Sequence, residues 1–97
     1  MRVRVEFHPA ASEELQVAYR WYRDRDPSVA REFVREIDAL VAAISQAPER
    51  GHVYVASTRR LVCRRFPFLI VYQQRGSIAL VLAVAHGRRR PGYWRRR

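Results

Sequence analysis

The sequence predicts an α+β domain made of one strand, an antiparallel helical hairpin and a three-stranded antiparallel meander, in the order β-α-α-β-β-β. Three observations predict it. Residues 2–7 alternate apolar and charged side chains. Residues 9–46 carry two apolar stripes at helical spacing with a break between them. From about residue 58 the period returns to that of strands.

The first element places Val3, Val5 and Phe7 on one side of a half-buried strand and Arg2, Arg4 and Glu6 on the other. Pro9 suits the first turn of a helix, and Glu13 and Glu14 are expected to favour its positive end. Ala11, Leu15, Ala18, Tyr19 and Tyr22 share one helical face, while Trp21 falls off it. Asp24-Arg25-Asp26-Pro27 is a break and a restart, with Asp26 as N-cap and Pro27 at the first helical position. Ala30, Phe33, Val34, Ile37, Val41 and Ile44 form the second stripe, which Pro48 and Gly51 end.

Residues 59–66 mix Arg with apolar side chains, and Pro67 separates them from the β-branched and aromatic run 68–74. Gln74-Arg75-Gly76-Ser77 is a turn into the apolar run 78–85. Strict alternation in that last run puts Ile78, Leu80, Leu82 and Val84 on a face towards the helices. It leaves Ala79, Val81, Ala83 and Ala85 on a more open one. Residues 1–97 read as a single domain with a basic segment at 86–97.

The chain has 97 residues, 48% of them hydrophobic, and a formal charge of +10. That apolar share suits a small packed core and excludes a disordered tail. No run approaches the roughly 18–20 apolar residues of a membrane span. The alternating N-terminus does not resemble a secretory signal. One cysteine, Cys63, allows no internal disulfide, so a cytoplasmic location is expected. His8, His52 and His86 lack metal-ligand spacing, so no metal and no cofactor are expected.

The charge is segregated. Residues 1–50 hold 8 Arg and all 9 acids, whereas residues 51–97 hold 11 Arg and no acid; every cation is Arg. An acid-free basic half is the footprint of a polyanionic partner, and its guanidinium forks suit phosphate or carboxylate. In segment 86–97, Arg88, Arg89, Arg90, Arg95, Arg96 and Arg97 interleave with Tyr93 and Trp94. That pattern suits phosphate contact with base stacking, or a solvated segment with Trp94 folded back on the sheet.

Arg59, Arg60, Arg64 and Arg65 are placed on the first meander strand, Arg60 and Arg64 on one face and Arg59 and Arg65 on the other. They either guard a sheet edge or extend the basic surface. His86 could exchange a proton in phosphodiester chemistry or fix the exit of the basic segment by a backbone hydrogen bond. His8 reads as a cap, and Cys63 as a packing residue. Val17 and Trp21 make an apolar patch off the buried face of the first helix, either incidental or a groove for a protein partner.

Several stretches together resemble the RelE/ParE superfamily of toxins from type II toxin–antitoxin modules, along nearly the whole chain. They are His8-Pro9-Ala10-Ala11 with Glu14-Leu15, Trp21-Tyr22, Ala30-Arg31-Glu32-Phe33 and Ala47-Pro48-Glu49-Arg50-Gly51. Arg65-Phe66-Pro67-Phe68-Leu69-Ile70-Val71-Tyr72 and Val84-Ala85-His86-Gly87-Arg88-Arg89 complete the set. The resemblance implies a growth-inhibiting, plasmid-stabilising protein held inactive in a hetero-oligomer with an acidic antitoxin, with Val17, Trp21 and Arg64 as antitoxin contacts. In the ParE branch the target is DNA gyrase, approached through Arg59, Arg65, Arg89, Arg90, Trp94 and Arg95. In the RelE branch it is ribosome-bound mRNA, cleaved here by Arg60, Arg64, His86, Arg88 and Tyr93. A plain nucleic-acid-binding module is a third expectation. The chain departs from the nuclease pattern at Leu69 and Gly87, where that branch has basic residues, and this favours the ParE reading.

Overall fold

The computed structural model describes residues 2–97. The chain runs β1 (Arg4–Phe7), α1 (Pro9–Arg25), α2 (Pro27–Gln46), β2 (His52–Tyr54), β3 (Thr58–Val62), β4 (Phe68–Arg75) and β5 (Ile78–His86), with 3-10 turns at Pro48–Arg50 and Val55–Ser57. The strand, helical hairpin and meander follow the predicted order. The addition is β2, His52–Tyr54; three residues are too few to show a period. One sheet has the order β1-β5-β4-β3-β2, with β1 parallel to β5 and every other pair antiparallel.

The helix ends follow local chemistry. His8 caps α1 through Nδ1, which accepts from the Ala10 amide at 3.0 Å. Asp26 serves both helices. Its own N–H closes α1 on Tyr22 O, and its carboxylate opens α2 by accepting from the Ser28 amide and hydroxyl. Those bonds hold the Asp26 carboxyl below its usual range. The expected role of Glu13 and Glu14 at the helix start is corrected: α1 begins at Pro9, and its first turn holds no acid.

The helices cover one face of the sheet. Phe33, Ile37 and Ile44 of α2 and Ala11 and Ala18 of α1 pack on Ile70, Tyr72, Val81 and Val84. Tyr22, Phe33, Phe66 and Phe68 close one end, their ring centroids 5.1–6.4 Å apart. Tyr72 spans the layer to donate to Pro48 O at 2.5 Å and accept from the Gly51 amide at 3.1 Å. Gly51 is required there, because a Cβ would stand 2.9 Å from Tyr72 Cε1 and closer still to its hydroxyl. Cys63 is buried in the same core, and burial pushes its thiol up to about 12.

The predicted division of β5 into faces is corrected. Val71 pairs with Ala83 but Tyr72 pairs with Val81, so Leu82 is an extra residue on β5. This β-bulge inverts the alternation. Ala79, Val81 and Val84 meet the helices, whereas Leu80, Leu82, Ala83 and Ala85 look to the other side. That second face is covered rather than open. Segment 86–97 rolls up through successive tight turns and lays Trp94, 1% exposed, over Val71, Leu82, Ala83 and Ala85. The Trp94 ring stacks on Tyr54 at 5.5 Å. Trp94 was expected to meet the target, and this burial corrects that expectation.

Segment 86–97 is fastened by Glu14. Its carboxylate accepts from Tyr93 Oη at 2.7 Å, from Arg97 Nη1 and Nη2 at 2.9 and 3.1 Å, and from the Val84 amide at 3.0 Å. Arg97 Nη1 also donates to Leu82 O at 2.9 Å. Both side chains of the ion pair are only 19% exposed.

Glu14→Gln leaves Arg97 half-buried without its counter-charge and should cost about 2–3 kcal/mol in urea unfolding, because hydrogen bonds to charged groups carry roughly that much. Glu13→Gln, on the exposed side, should stay within about 0.5 kcal/mol. A second expectation concerns alkali. Cys63 is raised from 9.0 to about 12, and burial also raises Tyr93, Tyr72 and Tyr22. Each holds its proton in the fold at a pH where the unfolded chain has lost it. Their contribution is therefore complete below pH 9 and is lost as pH rises from about 9 towards 12. Urea midpoints measured across that window should fall steadily, and Cys63→Ala should flatten the first part of the fall.

Candidate functional site

A groove of about 590 Å³ lies between α1 and the exit of β5. Ala18, Tyr22, Phe68 and Val84 make its apolar floor. Val17 and Trp21 stand on its α1 wall, 53% and 52% exposed. The patch off the buried helical face is thus one side of a shaped groove. Trp21 meets Tyr22 edge-to-face at 5.2 Å, and the Arg25 guanidinium lies 3.6 Å above its ring. Glu13 and Glu14 border the groove on α1, and His86, Arg89 and Tyr93 border it from β5 and the segment beyond.

Tyr93 is a side wall and not a free phenol. Its hydroxyl donates to Glu14, and Arg89 stacks on its ring at 3.9 Å. Burial first, and then the Glu14 carboxylate, raise its pKa well above the usual value. His86 packs edge-on to Phe68 at 5.3 Å, and its Nδ1 accepts from the Arg88 amide at 3.1 Å. Of its two expected roles, this geometry is the one that fixes the chain exit.

The expectation that all four meander arginines share β3 is corrected, because β3 ends at Val62. Arg60 is on the strand, with its guanidinium 4.6 Å above the Tyr54 ring, on the face that Trp94 covers. Arg59 donates to Gly51 O at 2.8 Å. Arg64 and Arg65 lie in the connection to β4. There the Glu36 carboxylate accepts from both of their amides, and Glu32 pairs with the Arg65 guanidinium at 3.0 Å. Pro67 in that connection accepts from the Gly87 amide at 2.8 Å, so the connection and the exit of β5 lie together at one end of the sheet. Arg64, Arg88, Arg89, Arg90 and Arg95 are exposed there or in the segment that follows.

Of the nuclease expectation, His86 and Tyr93 border one groove, but Arg60 and Arg64 do not join them there. Arg60 stacks on the covered face, Arg64 sits beside α2, and Tyr93 is tied to α1. The residue that sequence reasoning missed is Glu14. Composition shows only that any acid paired with segment 86–97 lies before residue 50, and not which of the nine it is.

Three comparisons bear on this arrangement. A family described as the ParE toxin of the type II toxin–antitoxin system, parDE, matches residues 5–91. Toxin ParE2 from two strains of Mycobacterium tuberculosis, CDC 1551 / Oshkosh and ATCC 25618 / H37Rv, is 27% identical over 92 residues, spanning 94% of this chain and 88% of the relative. A solved structure described as the chromosomal ParDE TA system from P. aeruginosa superposes with a TM-score of 0.76 at 21% identity, covering 88% of this chain and 96% of that one, and shares the fold. The matched span takes in both helices, all of the sheet but the first residue of β1, and the start of the basic segment, so the chain belongs to the ParE toxin family of type II toxin–antitoxin systems.

Proposed function

We propose that this protein is a cytoplasmic growth inhibitor that acts on DNA gyrase and is neutralised by an antitoxin seated in the α1 groove. The observation that carries the first part is the separation of Arg60 and Arg64 from His86 and Tyr93. Acid–base catalysis needs proton donor, acceptor and charge stabiliser within hydrogen-bond reach of one reacting centre. Here Tyr93 is held protonated against Glu14 and His86 accepts a backbone amide. Leu69 and Gly87 leave two further cationic positions of that pattern empty. A toxin that binds rather than cuts is left with the basic sheet end as its contact surface: Arg64, Arg65, Arg89, Arg90 and Arg95, with Arg59 set further back.

For the antitoxin, the groove provides an aromatic anchor in Trp21, an apolar wall in Val17 and a cation in Arg89. Arg64 lies at the same end of the sheet. Such a groove fits an amphipathic acidic segment whose apolar side chains enter the floor.

Two measurements test the reading. Purified gyrase should lose supercoiling activity, or turn to DNA cleavage, when this protein is added; unaffected gyrase at saturating protein overturns the proposed target. Codon-positioned cuts in ribosome-bound messages would favour the nuclease instead. Trp21→Ala should weaken capture of the co-encoded antitoxin by about 30-fold, which is roughly the 2 kcal/mol expected of an anchor residue, and leave gyrase inhibition intact.

A further inference from the structure

We infer that the basic end of the sheet is a binding surface for the phosphate backbone of double-stranded DNA, used without reading the bases. The inference is independent of which enzyme the toxin acts on, because it concerns this chain and DNA alone.

Pairing supports it first. Of the eleven arginines after residue 50, only Arg65 and Arg97 bring their guanidinium to a carboxylate among the described residues, Glu32 and Glu14 respectively. Arg64, Arg88, Arg90, Arg95 and Arg96 are exposed, and none of their guanidinium groups bonds to another described residue. These five charges share a scaffold that is already fixed. The Arg64 amide is held by Glu36, the Arg88 amide by His86, and the Arg95 amide by Gly92 O. Trp94 and Arg97 clamp the far end of the segment. Binding therefore orders side chains only and does not have to fold an arm.

The aromatics decide the kind of nucleic acid. Unstacked single strands are held by exposed aromatic rings, and this segment turns both of its rings inward. Trp94 is 1% exposed under Tyr54, and Tyr93 is tied to Glu14 beneath Arg89. What remains outward is guanidinium, whose fork fits phosphate oxygens. Residues 87–97 also contain no Asn, Gln, Ser, Thr, Asp or Glu, and the Tyr93 hydroxyl is engaged by Glu14, so the segment turns only donors towards a 2′-hydroxyl of RNA. The surface matches a regular double row of phosphates and nothing more specific.

The test is fluorescence anisotropy of the full chain with a labelled 20-base-pair DNA of mixed sequence, between 50 and 200 mM salt. Five phosphate contacts give a slope of log K against log salt of about −4 to −5, near 0.9 per phosphate. Arg88→Ala/Arg90→Ala should make the slope shallower by about two, and Arg88→Lys/Arg90→Lys should keep it. Arg35→Ala/Arg75→Ala removes the same charge from α2 and the opposite end of β4, and should leave the slope as in the parent. Equal losses from both alanine pairs would reduce the effect to net charge and overturn the surface. So would tighter binding of the single strand or of double-stranded RNA, or no binding of the DNA at 50 mM salt.

Discussion

The structure depends on how the open half of β5 is satisfied. β1 is four residues long and pairs with β5 only from Ile78 to Val81, while β5 continues to His86. His8 extends the pairing by one bond, donating its amide to Val81 O. Beyond that point the strand would present bare amides and carbonyls at a sheet edge, which either wet or recruit another chain. Glu14 and Arg97 fill the gap as an ion pair, the carboxylate accepting from the Val84 amide and the guanidinium donating to Leu82 O. One pair of side chains thereby replaces the next stretch of missing strand. The same carboxylate takes Tyr93, so the edge, helix α1 and the basic segment are secured at one point.

From this follows the way the sheet acquires two cores. The bulge at Leu82 falls one residue past the end of the β1 pairing, at the start of the uncovered edge. It turns Leu82 and Ala83 to the side away from the helices, where Ala85 and Val71 join them. Small side chains in that layer leave room for one large ring, and Trp94 occupies it. Its indole N–H meets no acceptor among the described residues, where the ring is held by packing and by the Tyr54 stack. Glu14 sets where the segment comes back to the sheet, and Trp94 sets how it lies on it.

The elements were legible because they are local. Asp26-Pro27 encodes a helix restart in two residues, and the 3.6-residue period over 30–44 is long enough to read without tertiary information. The two errors on the sheet have one origin, which is that pairing partners are not in the sequence window. A bulge is defined by the strand opposite, so Leu82 could not be distinguished from its neighbours by alternation. β3 ends at Val62 because Glu36 of α2 takes the amides of Arg64 and Arg65 out of the ladder, and Glu36 is 28 residues away from Arg64. For the candidate site, the cations, Trp21 and Val17 were visible from composition and phase. Glu14 was not, because its function is a contact across 79 residues to Tyr93, and on its own it looks like any other acid near a helix start.

Charge segregation gives the groove a polarity that shape alone would not. Since every acid precedes residue 50, its α1 border can be acidic, with Glu13 and Glu14, while its other border must be basic, with Arg89. Glu14 is spent on Arg97 and Tyr93, which leaves Glu13 and Arg89 as the charges that face an incoming segment. Glu13 is itself shared with Arg20 at 3.5 Å, whereas Arg89 has only an aromatic ring beneath it. The unneutralised charge at the groove is therefore positive and lies on the side of β5. A segment with acids along one flank and apolar residues along its base is attracted in one of its two lateral orientations and repelled by Glu13 in the other. The apolar floor supplies the contact, and the uneven distribution of acids along the chain decides which way round it is made.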